Sequence, residues 1–135
     1  MSEKIEEKQK KFADKWGASA LAMGWTAIPT VLFFLQRDLS VSPLAFNILL
    51  HLIAHWWKPY EWPHPSQEAI AKRMNVSVRT IQRGLNELES AKLIERRKTS
   101  KDHPKYQGRN IYDLTMLVEL LNKVTPEIKE KIKKG

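Results

Sequence analysis

The sequence contains no cysteine and only 5 glycines among 135 residues. Without cysteine there is no disulfide, no thiolate metal site and no cysteine nucleophile, so histidines and carboxylates are the only candidate metal ligands. The few glycines build no glycine-rich phosphate loop, and no nucleophile elbow is present. Long apolar runs are also missing. The uncharged stretch Gly17 to Gln36 contains Gly24, Pro29 and Thr30, and only Val31 to Leu35 is strongly apolar. It reads as buried structure broken near Gly24 and Pro29, not as a membrane span. The first sixteen residues mix both charge signs without an apolar run, unlike a secretory signal, so the cytoplasm is the expected location. No catalytic constellation emerges, and the chain is read as a binding protein without enzymatic activity, cofactor or metal.

What is present is positive charge, unevenly placed. The chain has 23 Lys+Arg against 15 Asp+Glu, a formal net charge of +8. Residues 66–110 carry 11 basic and 5 acidic groups, so six of the eight excess charges fall there. With 42% hydrophobic residues the chain has enough apolar material for one folded domain. A local excess of this size implies a polyanion-binding face, nucleic acid before an anionic membrane.

The apolar spacing predicts a mainly helical chain with a small β-hairpin. Ile5, Phe12, Trp16, Ala20 and Met23 suggest an amphipathic helix within residues 1–23, either laid on the domain or serving as a dimerisation arm. Ser42 followed by Pro43 predicts the start of a helix whose Ala45, Ile48, Leu49, Leu52, Ile53 and Trp56 face inward, ending before Pro59. Ser66 caps a short helix, Gln67 to Met74, which Asn75 can end in the left-handed conformation. Ser77 caps the next helix, from Val78 to about Ala91, with Val78, Ile81, Leu85 and Leu88 as its apolar stripe. Two capped helices joined across such a short turn form the helix-turn-helix pattern. Leu93–Lys98 and Arg109–Leu114 then read as paired strands, with Ile94 and Ile111 inward and the polar loop 99–108 as a wing. Thr115 is expected to cap a further helix, and Thr125-Pro126-Glu127 to start a last, lysine-rich one.

At 100° per residue, Arg79, Arg83, Asn86 and Ser90 fall opposite the apolar stripe of helix 78–91, with Thr80 and Gln82 on its flanks. These are side chains suited to base edges: arginine pairs bidentately with guanine, glutamine or asparagine with adenine, and threonine touches either a polar edge or a thymine methyl. Arg79, Thr80, Gln82, Arg83 and Asn86 are therefore the candidate base readers in a major groove. Ser66, Ser77, Lys72 and Arg73 are candidates for the DNA backbone. Arg96, Arg97, Lys98, Lys101, Lys105 and Arg109 cluster on or beside the wing, suited to phosphates or a neighbouring minor groove.

The run from Pro65 to Leu88, with Ala91-Lys92-Leu93-Ile94 after it, resembles the core of winged helix-turn-helix proteins of bacterial, phage and plasmid origin. Ile28-Pro29 is similar to a short segment in the replication-initiator branch of that group. The resemblance covers roughly residues 24–115, with Asn75 where the family often has glycine and His64-Pro65 separating Trp62-Pro63 from Ser66. It implies a winged helix-turn-helix domain over 24–115, with helical extensions over 1–23 and 116–135.

The functional expectation is sequence-specific binding of double-stranded DNA in transcriptional regulation. Plasmid or phage replication initiation or maintenance is the alternative within DNA binding, and a protein-interaction adaptor is the alternative of another class. Replication or transcription machinery would be a further partner. Leu117, Val118, Leu121, Val124 and Ile128 could join two copies on a palindromic site. His51 and His55, four apart, have a metal-sharing spacing but read as surface histidines. Trp56, Trp57, Tyr60 and Trp62 could stack on single-stranded bases but read as a satellite core.

Overall fold

A computed structural model describes residues 2–134, excluding the side chains of Ser2, Ile5, Ile132, Lys133 and Lys134, so the expected apolar role of Ile5 lies outside the described residues. Six helices and a hairpin follow in the order α1 (Ser2–Trp16), α2 (Thr30–Phe34), α3 (Pro43–Ala54), α4 (Gln67–Met74), α5 (Val78–Ser90), β1 (Glu95–Arg97), β2 (Ile111–Asp113) and α6 (Thr115–Lys134). None of the described helices is long and apolar enough to cross a membrane.

The three central helices form where local chemistry says they should. Ser42, Ser66 and Ser77 each accept a hydrogen bond at 3.1 Å from an amide three residues on, at Ala45, Ala69 and Thr80. Each bond satisfies an amide that the first helical turn leaves without a partner. Asn75 ends α4 at φ 57 and ψ 47, and the three residues Asn75–Ser77 form the turn into α5. The other end of α5 closes through Lys92, also left-handed at φ 60, which lets the Leu93 amide reach back to the Leu88 carbonyl at 3.0 Å.

The core lies between these helices. Ile48, Leu49 and Leu52 of α3, Ile70 of α4, and Ile81, Leu85 and Leu88 of α5 are fully buried, and the hairpin adds Leu93, Ile94, Tyr112 and Leu114. Leu32 of α2 and Leu35 just after it cover this core, and Leu117 and Leu121 of α6 join it. The first two turns of α6 thus belong to the same packed unit as the helix-turn-helix. Leu117 and Leu121 face the chain's own interior, while Val118 of the same helix is exposed.

The hairpin is shorter than its sequence pattern, because β1 and β2 pair over three residues each, with Arg96 opposite Tyr112. Tyr112 fills the inward position and Ile111 is only half-buried. The Tyr112 amide donates outward to the Pro63 carbonyl at 2.9 Å. Proline has no amide to return, so this contact stays a single bond instead of a third strand.

Several local expectations are corrected. The first helix stops at Trp16 because Gly17 turns left-handed, and a single 3-10 turn follows at Ser19–Leu21. The Gly17–Gln36 stretch is not generally buried: within it Leu32 and Leu35 are in the core, whereas Trp25, Phe33 and Phe34 are exposed. Asp113, not Thr115, supplies the cap of α6, accepting from the Thr115 amide at 2.8 Å. No second helix starts at Pro126, which lies inside one continuous α6.

Candidate nucleic-acid interface

α5 is divided into two faces. Its buried side is held tightly: a methyl group at Gly84 would approach the Ile48 Cδ1 to 2.2 Å, so α3 and α5 meet where only glycine fits without displacement. At the same helix, the Glu87 carboxylate accepts from the Ser42 amide at 2.5 Å and the Ser42 hydroxyl at 2.7 Å. Ser42 also caps α3, so one residue fixes the start of α3 and the orientation of α5.

The opposite face is open. Arg79, Gln82 and Arg83 are exposed, and among the described residues none of these side chains has a hydrogen-bond or ion-pair partner. Thr80 is half-buried, with its hydroxyl 2.9 Å from that of Ser77. Asn86 is exposed, but its Oδ1 accepts from Arg96 at 2.6 Å. The five candidate readers thus divide into three unengaged side chains near the start of α5 and two held by neighbours.

The candidate backbone residues divide in the same way. Arg96 is clamped across α5: its Nε and one terminal nitrogen donate to the two Glu89 oxygens at 3.1 and 2.9 Å, while its own amide donates to Glu89 as well. This hydrogen bonding holds the Glu89 carboxyl below the ordinary value of 4.5 although burial opposes it. Arg97 reaches Asp113 at 2.7 Å and remains more than half exposed. Lys105 is paired with Glu61 at 2.7 Å. Arg73 donates to the His55 ring at 2.9 Å. Lys72, Lys98, Lys101 and Arg109 are exposed.

A polar cleft of about 560 Å³ runs between the start of α4 and the foot of the wing, lined by Ser66, Gln67, Lys98, Arg109 and Tyr112 among others. Ser66, Lys98 and Arg109, far apart in sequence, are therefore brought to one opening. The free amides at the start of α4 and the two cations, against the one carboxylate of Glu68, suit this opening to an anion. The wing itself is folded back. Tyr106 lies between His64 and His103, with ring centroids 4.8 and 4.9 Å away, and the Lys105–Glu61 pair ties the same turn to the proline-rich loop.

Sequence reasoning missed the carboxylates that set this geometry. Glu87 and Glu89 lie on flanks of α5 where a helical wheel sees only polarity, and their partners, Ser42 and Arg96, belong to other elements. The one available signal was the seven-residue spacing of Glu89 and Arg96 around a tight turn. The histidine pair is likewise explained by neighbours: His51 Nδ1 contacts the Asn47 carbonyl, and His55 contacts Arg73.

Residues 41–94 match the family model described as a helix-turn-helix domain. No curated protein matches the chain. Among solved structures, a crystal structure of the S. aureus MepR–DNA complex is similar, with 21% sequence identity, a TM-score of 0.46, and coverage of 98% of this chain and 87% of that one. Within that stretch α4, the turn Asn75–Ser77 and α5 form a helix-turn-helix, and the β1–β2 hairpin follows it as a wing.

Proposed function

We propose that the protein binds double-stranded DNA sequence-specifically as a transcriptional regulator, with α5 in the major groove and the wing against the backbone. The observation that carries this reading is the unengaged Arg79, Gln82 and Arg83 on the exposed face of a helix whose other face is locked at Gly84 and Glu87. A base-reading helix needs both properties, because its side chains must be free for base edges while its axis stays fixed. Thr80 and Asn86 flank the readers. Ser66, Ser77, Lys72, Lys98, Lys101 and Arg109 contribute contacts with phosphates, and Arg97 joins them from its exposed side. Arg96 acts chiefly by bracing the wing on α5.

The same reading makes the protein a non-enzymatic binder acting in the cytoplasm. Two copies would read a palindromic site, and the exposed Trp16, Met23, Phe33 and Phe34 of the N-terminal segment offer apolar surface for that association. Selection from a random duplex library tests the proposal. A recurrent motif is expected, whose symmetry reports the number of copies, and failure to enrich any motif at low salt would overturn it.

A further inference from the structure

The loop between α3 and α4 carries a feature that duplex binding does not use. Trp57 is 79% exposed and Tyr60 is 82% exposed, although the neighbouring Trp56 and Trp62 pack together at 5.1 Å between ring centroids. The expected satellite core therefore takes only half of this aromatic group. The exposed half is held by its loop: Pro59 stiffens the chain, the Glu61 amide donates to the Lys58 carbonyl at 3.1 Å, and the His55 ring lies tilted against Trp57 at 5.6 Å between centroids.

Behind Trp57 lies a cleft of about 260 Å³, walled by Trp57, Trp62, His55 and His64 and carrying Lys58, Glu61 and Lys105. Its size is just below the roughly 300–1,000 Å³ of clefts for whole small molecules, which suits one planar group. With Lys105 paired to Glu61, Lys58 in the lining and Arg73 beside it leave a positive excess that suits a phosphate. Lys58 and Lys105 line the cleft and Arg73 adjoins it through His55, against the single carboxylate of Glu61, which Lys105 and His64 already engage at 2.7 and 3.5 Å. Aromatic faces with flanking cations are the chemistry of single-stranded nucleic acid, in which bases stack and phosphates pair. The cleft also lies at the wing turn, beside Lys105 and Tyr106.

We propose that this cleft receives an unpaired base of a DNA strand, stacked on Trp57 with Tyr60 available to the next base and with Lys58 and Arg73 holding the adjoining phosphates. The protein would then bind a duplex next to a frayed, flipped or single-stranded position more tightly than a blunt one. This inference rests on the duplex reading only for where the unpaired strand comes from; the stacking itself depends on neither Arg79 nor Arg83.

The test compares the full chain on three probes: a blunt duplex, the same duplex with a short thymidine tail, and that duplex with an abasic tail of equal length. The thymidine tail is expected to raise affinity about 5- to 150-fold per stacked base over the abasic one and to quench tryptophan fluorescence. Trp57→Ala should remove both effects while leaving blunt-duplex affinity unchanged, and Trp57→Phe should restore part of the gain. Equal affinity for the thymidine and abasic tails would overturn the inference, as would a tail advantage that survives Trp57→Ala. Binding of single-stranded oligothymidine that depends on Trp57, without any duplex binding, would overturn the duplex reading while supporting this one.

Discussion

Glu87 of α5 accepts two hydrogen bonds from Ser42, the cap of α3, at 2.5 Å from its amide and 2.7 Å from its hydroxyl. The residues are 45 positions apart, so this contact sets the orientation of α5 relative to α3. Hydrogen bonds to a charged partner contribute about 1.5–3 kcal/mol. Glu87→Ala should therefore lower unfolding stability by about 2 kcal/mol in urea titration. A loss below about 0.5 kcal/mol, the range of ordinary surface substitutions, would show that the contact does not anchor α5.

Gly84 is the second anchor. A leucine there must displace the side chain of Ile48, which is fully buried. Overpacking of this kind costs about 1–3 kcal/mol. Gly84→Leu is expected to lose that much in thermal or chemical unfolding and to weaken DNA binding by tilting α5. A variant of unchanged stability would contradict the close approach of α3 and α5.

Acid should weaken the fold in two stages. Burial, reinforced by the Arg73 guanidinium, lowers the His55 pKa below its ordinary 6.5. The folded state thus holds this imidazole neutral, and its contribution is complete above 6.5 and declines as pH falls below it. Glu89 is lowered from 4.5 by the Arg96 hydrogen bonds, so its contribution is present above 4.5 and is lost as pH falls through the lowered value. Unfolding stability measured from about pH 7.5 to about pH 3.5 should show both declines. His55→Gln should remove the upper one and Glu89→Gln should reduce the lower, which the lowered Glu61 and Asp113 carboxyls share; profiles unchanged in both variants would refute the assignment.

Pro126 lies within the continuous α6. It has no amide to donate to the Asn122 carbonyl, and one residue earlier the Thr125 hydroxyl donates to the Leu121 carbonyl. Pro126→Ala should raise helical content in far-UV circular dichroism and stabilise the fold by up to about 3 kcal/mol. Reduced helicity would mean that the proline directs the path of α6 in solution.

The helix-turn-helix was legible in the sequence because its determinants are local. Ser66 and Ser77 cap, Asn75 adopts the left-handed turn, and Ile81, Leu85 and Leu88 repeat at helical spacing, all within a few residues. The exposed positions of Arg79, Gln82 and Arg83 follow from the same periodicity. What lay beyond reach depends on contacts between elements. Beyond the seven-residue spacing of Glu89 and Arg96, nothing in the chain shows that Asn86 will join them, and nothing near Lys105 reveals Glu61. Pro126 illustrates the opposite failure. A strong local stop signal was overruled because Leu117 and Leu121 commit the helix to the core before the proline is reached. Trp57 and Trp56 share one composition signal, and only the path of the proline-rich loop decides that one packs while the other faces solvent.

The central claim is that the free arginines of α5 read bases, and the most direct measurement of it is the ratio of affinities for a selected and a scrambled duplex at fixed salt, in the unaltered chain and in Arg79→Ala/Arg83→Ala. Each lost bidentate contact should reduce that ratio about 5- to 150-fold. Lys101→Ala, by comparison, should weaken both duplexes alike and make binding less salt-dependent. If the double variant keeps the full ratio, α5 is not the reading helix and the account is contradicted.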